Sequence, residues 1–282
     1  MSELVAEHAV AAVSPALHRY VGRIVGYRLA GLPPGIHLGL PSRHLTVVLA
    51  FDEPTRMVQL PDGATVPLAL FALAGGLAQR PVRIAHDGAM AGVQIDLTPA
   101  GARAILGLPA GELTHAVVDL GAVLGREAGE LNERLALLGG WPARFAALEA
   151  FLLARVRRAL APAPEPVQSA WALIAASHGT RRIGDVADAV GYSRRRLDAL
   201  FAREYGLAPK QLARIARFER AAGRLKRDPD AGLSAVAADC GYADQAHMTR
   251  DWRAFAGCPP SRWLRAERDL FVQDDQALGA RA

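Results

Sequence analysis

Two groups of side chains in the C-terminal third carry functional groups suited to reading the edges of base pairs. The first is Arg194, Arg195, Asp198 and Ala199, and the second is Gln245, Ala246, Thr249 and Arg250. An arginine can pair bidentately with O6 and N7 of guanine, a glutamine with adenine, and a carboxylate can accept from the cytosine amino group. Arg195 is the strongest base-reading candidate, and Asp198 could instead orient Arg194 or Arg195. Arg181, Arg182, Arg214, Arg253 and Arg262 are better placed for phosphates, contacts that position a protein without specifying sequence. A lone surface arginine is commonly just solvated, so the surrounding pattern must carry the reading.

Other chemistries fare worse. His37, His44, His86 and His115 show no close ligand spacing, which argues against a metal site. His86-Asp87-Gly88 reads as a hairpin turn, not an acid–base pair. Cys240 and Cys258 lack paired spacing, which excludes a disulfide scaffold and a cysteine zinc site and suits a reducing cytoplasm. Cys240, next to Gly241, reads as a small buried residue and not as a nucleophile. Neither a glycine-rich phosphate loop nor a nucleophile elbow occurs. No cofactor, metal or catalytic residue is expected. The alternative, a DNA-targeted enzyme such as a repair protein, needs a reactive residue in 1–160, and that stretch contains no cysteine.

The elements that must hold the reading residues repeat. One copy runs Ile183, Ala187, Gly191-Tyr192, Leu197, Phe201, Gly206, Pro209. The other runs Leu233, Ala237, Gly241-Tyr242, Met248, Trp252, Gly257, Pro260. Each describes a short helix, a glycine where the chain turns sharply, an N-cap (Ser193, Asp244) and a second helix with inward i,i+4 residues. That is the pattern of a helix-turn-helix. Helices are expected at 167–177, 183–190, 194–205, 209–226, 233–240, 244–256 and 260–266. The helix 209–226 joins the units and spans roughly 27 Å, a separation suited to successive major-groove faces.

Charge agrees. Residues 1–166 hold 14 arginines and 14 acidic residues, whereas 167–267 hold 17 basic and 11 acidic ones. The basic excess lies beside the repeat, and a localised positive field implies a polyanion partner. Ala161-Pro162-Ala163-Pro164-Glu165-Pro166 reads as an extended spacer that leaves the halves free of one another. Before it, strands are expected at 20–29, 44–51, 57–60, 68–73, 82–85 and 92–97, followed by helices over 99–160. Phe145, Leu148, Leu152, Val156 and Ala159 form one apolar stripe, which either packs on the sheet or pairs with a second chain. No apolar run reaches the length of a membrane span and the N-terminus is not signal-like. The fold class is therefore an α+β N-terminal domain, mostly strands then helices, followed by an all-α C-terminal domain with two helix-turn-helix units.

With these residues in view, 167–267 resembles the DNA-binding domain of the AraC/XylS family of bacterial transcription regulators. The closest stretch is Ala237-Ala238-Asp239-Cys240-Gly241-Tyr242-Ala243-Asp244-Gln245-Ala246-His247-Met248, then Arg250, Trp252, Phe255, Gly257, Pro260 and Ser261. Trp252, where phenylalanine is usual, and Cys258 depart from the pattern away from the reading face. The resemblance implies seven helices in two units joined by a long helix, and agrees on Arg195, Asp198, Ala199, Ala246 and Arg250 as reading positions. Gly39-Leu40-Pro41-Ser42, Arg80-Pro81, His86-Asp87-Gly88 and 106–113 resemble the uncharacterised N-terminal domain of an actinobacterial-type branch. The expected organisation is 1–160 for effector sensing or dimerisation, 161–166 as linker, 167–268 for DNA binding and 269–282 as tail. Expected partners are double-stranded DNA, with RNA polymerase, a small-molecule effector of unknown binding residues and a second copy through 99–160 as candidates. No membrane is expected among them, and the expected location is the bacterial cytoplasm, in association with the nucleoid.

Overall fold

A computed structural model describes residues 5–159 and 161–266; the expected tail lies outside the described residues. The strands are β1 (Val5–Val10), β2 (Val21–Ala30), β3 (Gly35–Gly39), β4 (Leu45–Ala50), β5 (Thr55–Gln59), β6 (Leu68–Leu70), β7 (Ala72–Gly75), β8 (Val82–His86), β9 (Met90–Leu97) and β10 (Val117–Asp119). They form two antiparallel sheets, ordered β1-β2-β9-β4-β7-β10 and β3-β8-β5-β6.

Alternation along the central strands gives the larger sheet one apolar face and one of mixed character. Leu45, Val47, Leu49, Val93, Ile95 and Leu97 are buried in the main core. Thr46, Val48, Ala50, Met90, Gln94 and Asp96 face the smaller sheet across a cavity of about 630 Å³. Most of this was expected. The run 68–73 is two strands, however: the chain bends at Phe71, so β6 pairs with β5 in one sheet and β7 with β4 in the other. The strands β1, β3 and β10 were not anticipated; β3 is glycine-flanked and β10 has three residues, too little for an alternation signal.

Helices cover the outer face of the larger sheet. The first, α1 (Pro99–Gly101), continues into a π-helical turn, Ala102–Leu106, and a 3-10 turn follows at Ala110–Leu113. Then come α2 (Leu120–Leu124), α3 (Arg126–Leu137) and α4 (Trp141–Val156). On α4, Leu148 and Leu152 are buried and Phe145 and Val156 pack against the same core, so the apolar stripe packs within the chain. Ala159 falls beyond the helix. Trp141 sits over Gly26, where a Cβ would come within 2.3 Å of the indole.

The C-terminal part is helical: α5 (Glu165–Ala176), α6 (Ile183–Ala189), α7 (Arg194–Tyr205), α8 (Pro209–Arg227), α9 (Leu233–Asp239), α10 (Gln245–Ala256) and α11, residues 260–266. The seven expected helices are all present. The proline stretch is not the free spacer that was expected. Pro166 sits in the first turn of α5, where a missing N–H costs nothing. Ala163 is buried, its carbonyl accepts from Gln168 Nε2, and Gln168 Oε1 accepts from Arg19 at 2.6 Å. One cluster of buried apolar residues runs from Leu17 to Trp263, so the two halves share a core. Among the described residues no helix is long and apolar enough to cross a membrane.

Candidate nucleic-acid interface

The two helix-turn-helix units are built alike. Val186 and Ala187 on α6, and Val236 and Ala237 on α9, are buried against the following helix. Gly191 (φ +70°) and Gly241 (φ +77°) take the left-handed backbone that each turn requires, one that other residues rarely adopt. The Ser193 hydroxyl then accepts from Arg196 N at 3.3 Å, and the Asp244 carboxylate from His247 N at 2.6 Å, capping α7 and α10. Leu197 and Phe201, Met248 and Trp252 fill the core. Both helices end on a left-handed glycine, Gly206 and Gly257.

This scaffold leaves one face of each second helix open. On α7, Arg194, Arg195 and Ala199 are exposed and Asp198 half-buried. On α10, Gln245, Ala246, Arg250 and Arg253 are exposed and Thr249 is half-buried. Ser234 on α9 donates to Gln245 Oε1 at 2.8 Å, which steers that amide. Arg181 and Arg182, just before α6, and Arg262 on α11 are also exposed.

Arg214 has a different place from the rest of the expected phosphate set. Its Nε and Nη2 donate to Asp251 Oδ1 at 3.1 and 2.7 Å, and its guanidinium lies over Phe255. Asp251 is buried. The pair braces α8 against α10 and leaves only Nη1 of Arg214 for another acceptor. Arg196, over the Tyr192 ring at 4.4 Å, and Arg217, over Tyr242 at 5.6 Å, pack on their turns in the same manner. Burial pushes the Cys240 thiol up, away from the thiolate form a nucleophile needs.

Sequence reasoning missed a third group, the residues that tie the first reading unit to the sheet domain. Arg103, in the π-helical turn, donates through Nε and Nη2 to the two carboxylate oxygens of Glu204, at 2.5 and 2.6 Å, and Glu204 is buried in the last turn of α7. The hydrogen bonds to Glu204 hold the Arg103 guanidinium still further above its ordinary pKa. Thr114 Oγ1 donates to the Tyr205 carbonyl at 2.9 Å, and a Cβ on Gly206 would fall 2.0 Å from that hydroxyl. Elsewhere Arg43 reaches Glu219 on α8 at 3.2 Å and the Ala175 carbonyl at 3.1 Å. These partners are 91 to 176 residues apart, distances at which spacing gives no signal.

The histidines judged too far apart for chemistry converge in space. His37, His44 and His86 all line the cavity between the sheets, and His115 lies outside its lining. Burial and nearby Arg80 lower the pKa of His115 and favour its neutral form. Among the described residues no three His, Cys, Asp or Glu side chains gather to hold a metal ion. The cavity is closed on one side by Phe218, Ala222 and Gly223 of α8 and by Trp263. The helix that joins the two reading units is thus also a wall of the N-terminal cavity.

Two capped helices with exposed arginine-bearing faces, each held by a short helix and a glycine turn, make a pair of helix-turn-helix units. Residues 186–266 match the family model described as a helix-turn-helix domain. The match places a helix-turn-helix domain over the two units. No curated protein matches the sequence. Among solved structures, ToxT from Vibrio cholerae O395 is similar with 13% identity and a TM-score of 0.52, over 86% of this chain and 96% of that one. A second ToxT crystal form gives 12% identity and a TM-score of 0.52, over 86% and 97%. A transcriptional regulator from Chromobacterium violaceum, titled as having an AraC-type DNA-binding domain, is 26% identical, with a TM-score of 0.33 over 36% of this chain and 91% of that one. The likeness to ToxT extends the shared fold across both parts of the chain.

Proposed function

We propose that this chain is a DNA-binding transcription regulator of the AraC type, that it reads two successive major-groove segments with α7 and α10, and that its N-terminal domain controls the reading. The observation that carries this is the equivalence of the two units: each presents a capped helix with its first turns exposed, and one 19-residue helix separates them. Arg194, Arg195, Asp198 and Ala199 face one segment, and Gln245, Ala246, Thr249 and Arg250 the other. Arg181, Arg182, Arg253 and Arg262 neutralise phosphates, so affinity falls steeply with salt. The units stand in tandem, so the site need not be a palindrome.

Control through the N-terminal domain is supported by the grip of Arg103 and Thr114 on the end of α7 and by the share of α8 in the cavity wall. A small-molecule effector in that cavity would bear directly on the helix between the reading units. The cytoplasm is the setting, with RNA polymerase as a further partner. A homodimer through 99–160 has less support, because the stripe once available for it is buried within the chain. The reading is of a regulator without catalytic activity.

The test is a base-by-base comparison. Arg195→Ala should cost about 1–3 kcal/mol at the preferred site and flatten preference at one or two base pairs. Fluorescence anisotropy of the full chain against a panel of singly substituted duplexes measures both. A uniform loss across the panel would mean that Arg195 touches phosphate and that α7 is misoriented in this account.

A further inference from the structure

The loop between α5 and α6 belongs to the first reading unit and abuts the second. Gly179 lies so close to the Ala213 carbonyl on α8 that a Cβ there has no room. Thr180 follows. Its Oγ1 donates to the Ser177 carbonyl at 2.7 Å, and a Cβ on Gly241, in the turn of the second unit, would come within 2.5 Å of its Cγ2. Glycine at 241 therefore serves both the left-handed turn and this close approach. Arg181 and Arg182 come next in the chain and are exposed. Arg217 reaches the same turn from α8, with its guanidinium 5.6 Å from the Tyr242 ring. Three arginines from two segments thus gather where the units meet.

Duplex geometry says what would meet this join, given the reading of α7 and α10 as base-reading helices, on which the step rests. Helices in successive major-groove segments on one face of a duplex are one turn apart, roughly 34 Å. Between those segments the duplex turns its minor groove to the same face. The join of the units therefore lies over a minor groove that neither reading helix enters. Base edges there distinguish little beyond A·T from G·C, but the width of the groove varies with sequence. A·T tracts narrow it, which deepens the negative potential that attracts arginine. Guanine, by contrast, places an amino group on the floor of the groove.

We propose that Arg181 and Arg182, with Arg217 adding to the field behind them, read the middle of the DNA site by the shape of its minor groove, so that the base pairs between the two major-groove contacts are selected to be A·T-rich. The arginines that neutralise phosphates thereby also discriminate, because a narrow groove brings the phosphates of both strands toward them. The loop is suited to the task. Gly179 and Thr180 fix it against α8 and against the second unit, so its charges meet one groove width better than another. Its arginines are also dispensable to the fold: Arg182 is the N-cap of α6, but its side chain makes no capping bond.

The experiment is fluorescence anisotropy of the full chain on three duplexes. All carry the two end segments that the chain selects from a random pool, and they differ only in the pairs between: A·T, G·C or inosine·cytosine. An inosine·cytosine pair keeps the major-groove edge of G·C and lacks the guanine amino group in the minor groove. The expected result is similar affinity for the A·T and inosine·cytosine spacers, with G·C weaker by roughly fivefold or more. The double variant Arg181→Ala with Arg182→Ala should bind all three more weakly and bring them within about twofold of one another. Equal affinity for A·T and G·C spacers, an inosine·cytosine spacer that behaves as G·C, or a spacer preference that survives in the double variant would overturn the proposal and leave the two-segment reading standing. Duplexes with scrambled end segments check that reading separately: if scrambling costs no affinity with any spacer, the two-segment reading fails and this proposal with it.

Discussion

Arg103→Ala is expected to destabilise the chain by about 3 kcal/mol and to loosen the first reading unit more than the second. The magnitude is that of leaving one member of a buried ion pair without its partner. It sits at the low end because the Arg103 side chain is 21% exposed and water can replace part of the guanidinium, whereas Glu204 is 5% exposed and keeps its charge indoors. The effect should be local, because Arg103 ends on α7 while α10 is braced to α8 by Arg214. Denaturant melts give the stability, and amide hydrogen exchange gives the location. Faster exchange in α7 and in 110–114, with α10 little changed, is the expected pattern. Stability within about 0.5 kcal/mol of the parent, the ordinary scale of a surface change, would mean that the pair does not hold the unit.

The second large effect is Arg214→Ala. Asp251 Oδ2 has no hydrogen-bond partner among the described residues, and Oδ1 takes both of its bonds from Arg214. Removing the arginine leaves a buried, unpaired carboxylate and costs about 3–5 kcal/mol. Arg214→Ala should also weaken binding to all DNA sequences about equally, through a displaced α10. The double change Arg214→Met with Asp251→Leu separates the two causes. It removes charge from both sides and should recover most of the stability, since apolar replacement of a buried pair is often neutral. DNA affinity that recovers with it marks Arg214 as a brace. Affinity that stays low while stability returns marks a phosphate contact through Nη1.

These two ion pairs show where sequence reading stops. The helix-turn-helix units were legible because their determinants are local: a glycine at each turn, a serine or aspartate two or three residues later, and apolar residues at four-residue steps. The exposed faces of α7 and α10 followed from the same periodicity. Phe71 shows a first limit, since an apolar run from 68 to 73 does not reveal that the chain changes sheets in the middle. Arg103 with Glu204, and Arg43 with Glu219, show a second: none of the four stands out in its own segment, and each pair meets only once the tertiary fold is formed. The proline stretch shows a third. Its prolines argue against a helix over 161–166, which fails at Glu165 and Pro166 where α5 begins, and composition does not report that Ala163 and Gln168 fasten the stretch to the sheet domain. The cavity likewise exists only because β3-β8-β5-β6 faces the larger sheet, and β3 lacked a pattern of its own.

The central claim is that one chain reads two groove segments with two separate helices. Selection of bound duplexes from a random pool by the full chain, repeated with Arg195→Ala and with Arg250→Ala, tests it most directly. The account predicts two short preferred segments about one duplex turn, roughly 34 Å, apart. Arg195→Ala should flatten one segment and spare the other, and Arg250→Ala should do the reverse. A single preferred segment, or two that both flatten with either substitution, would contradict it.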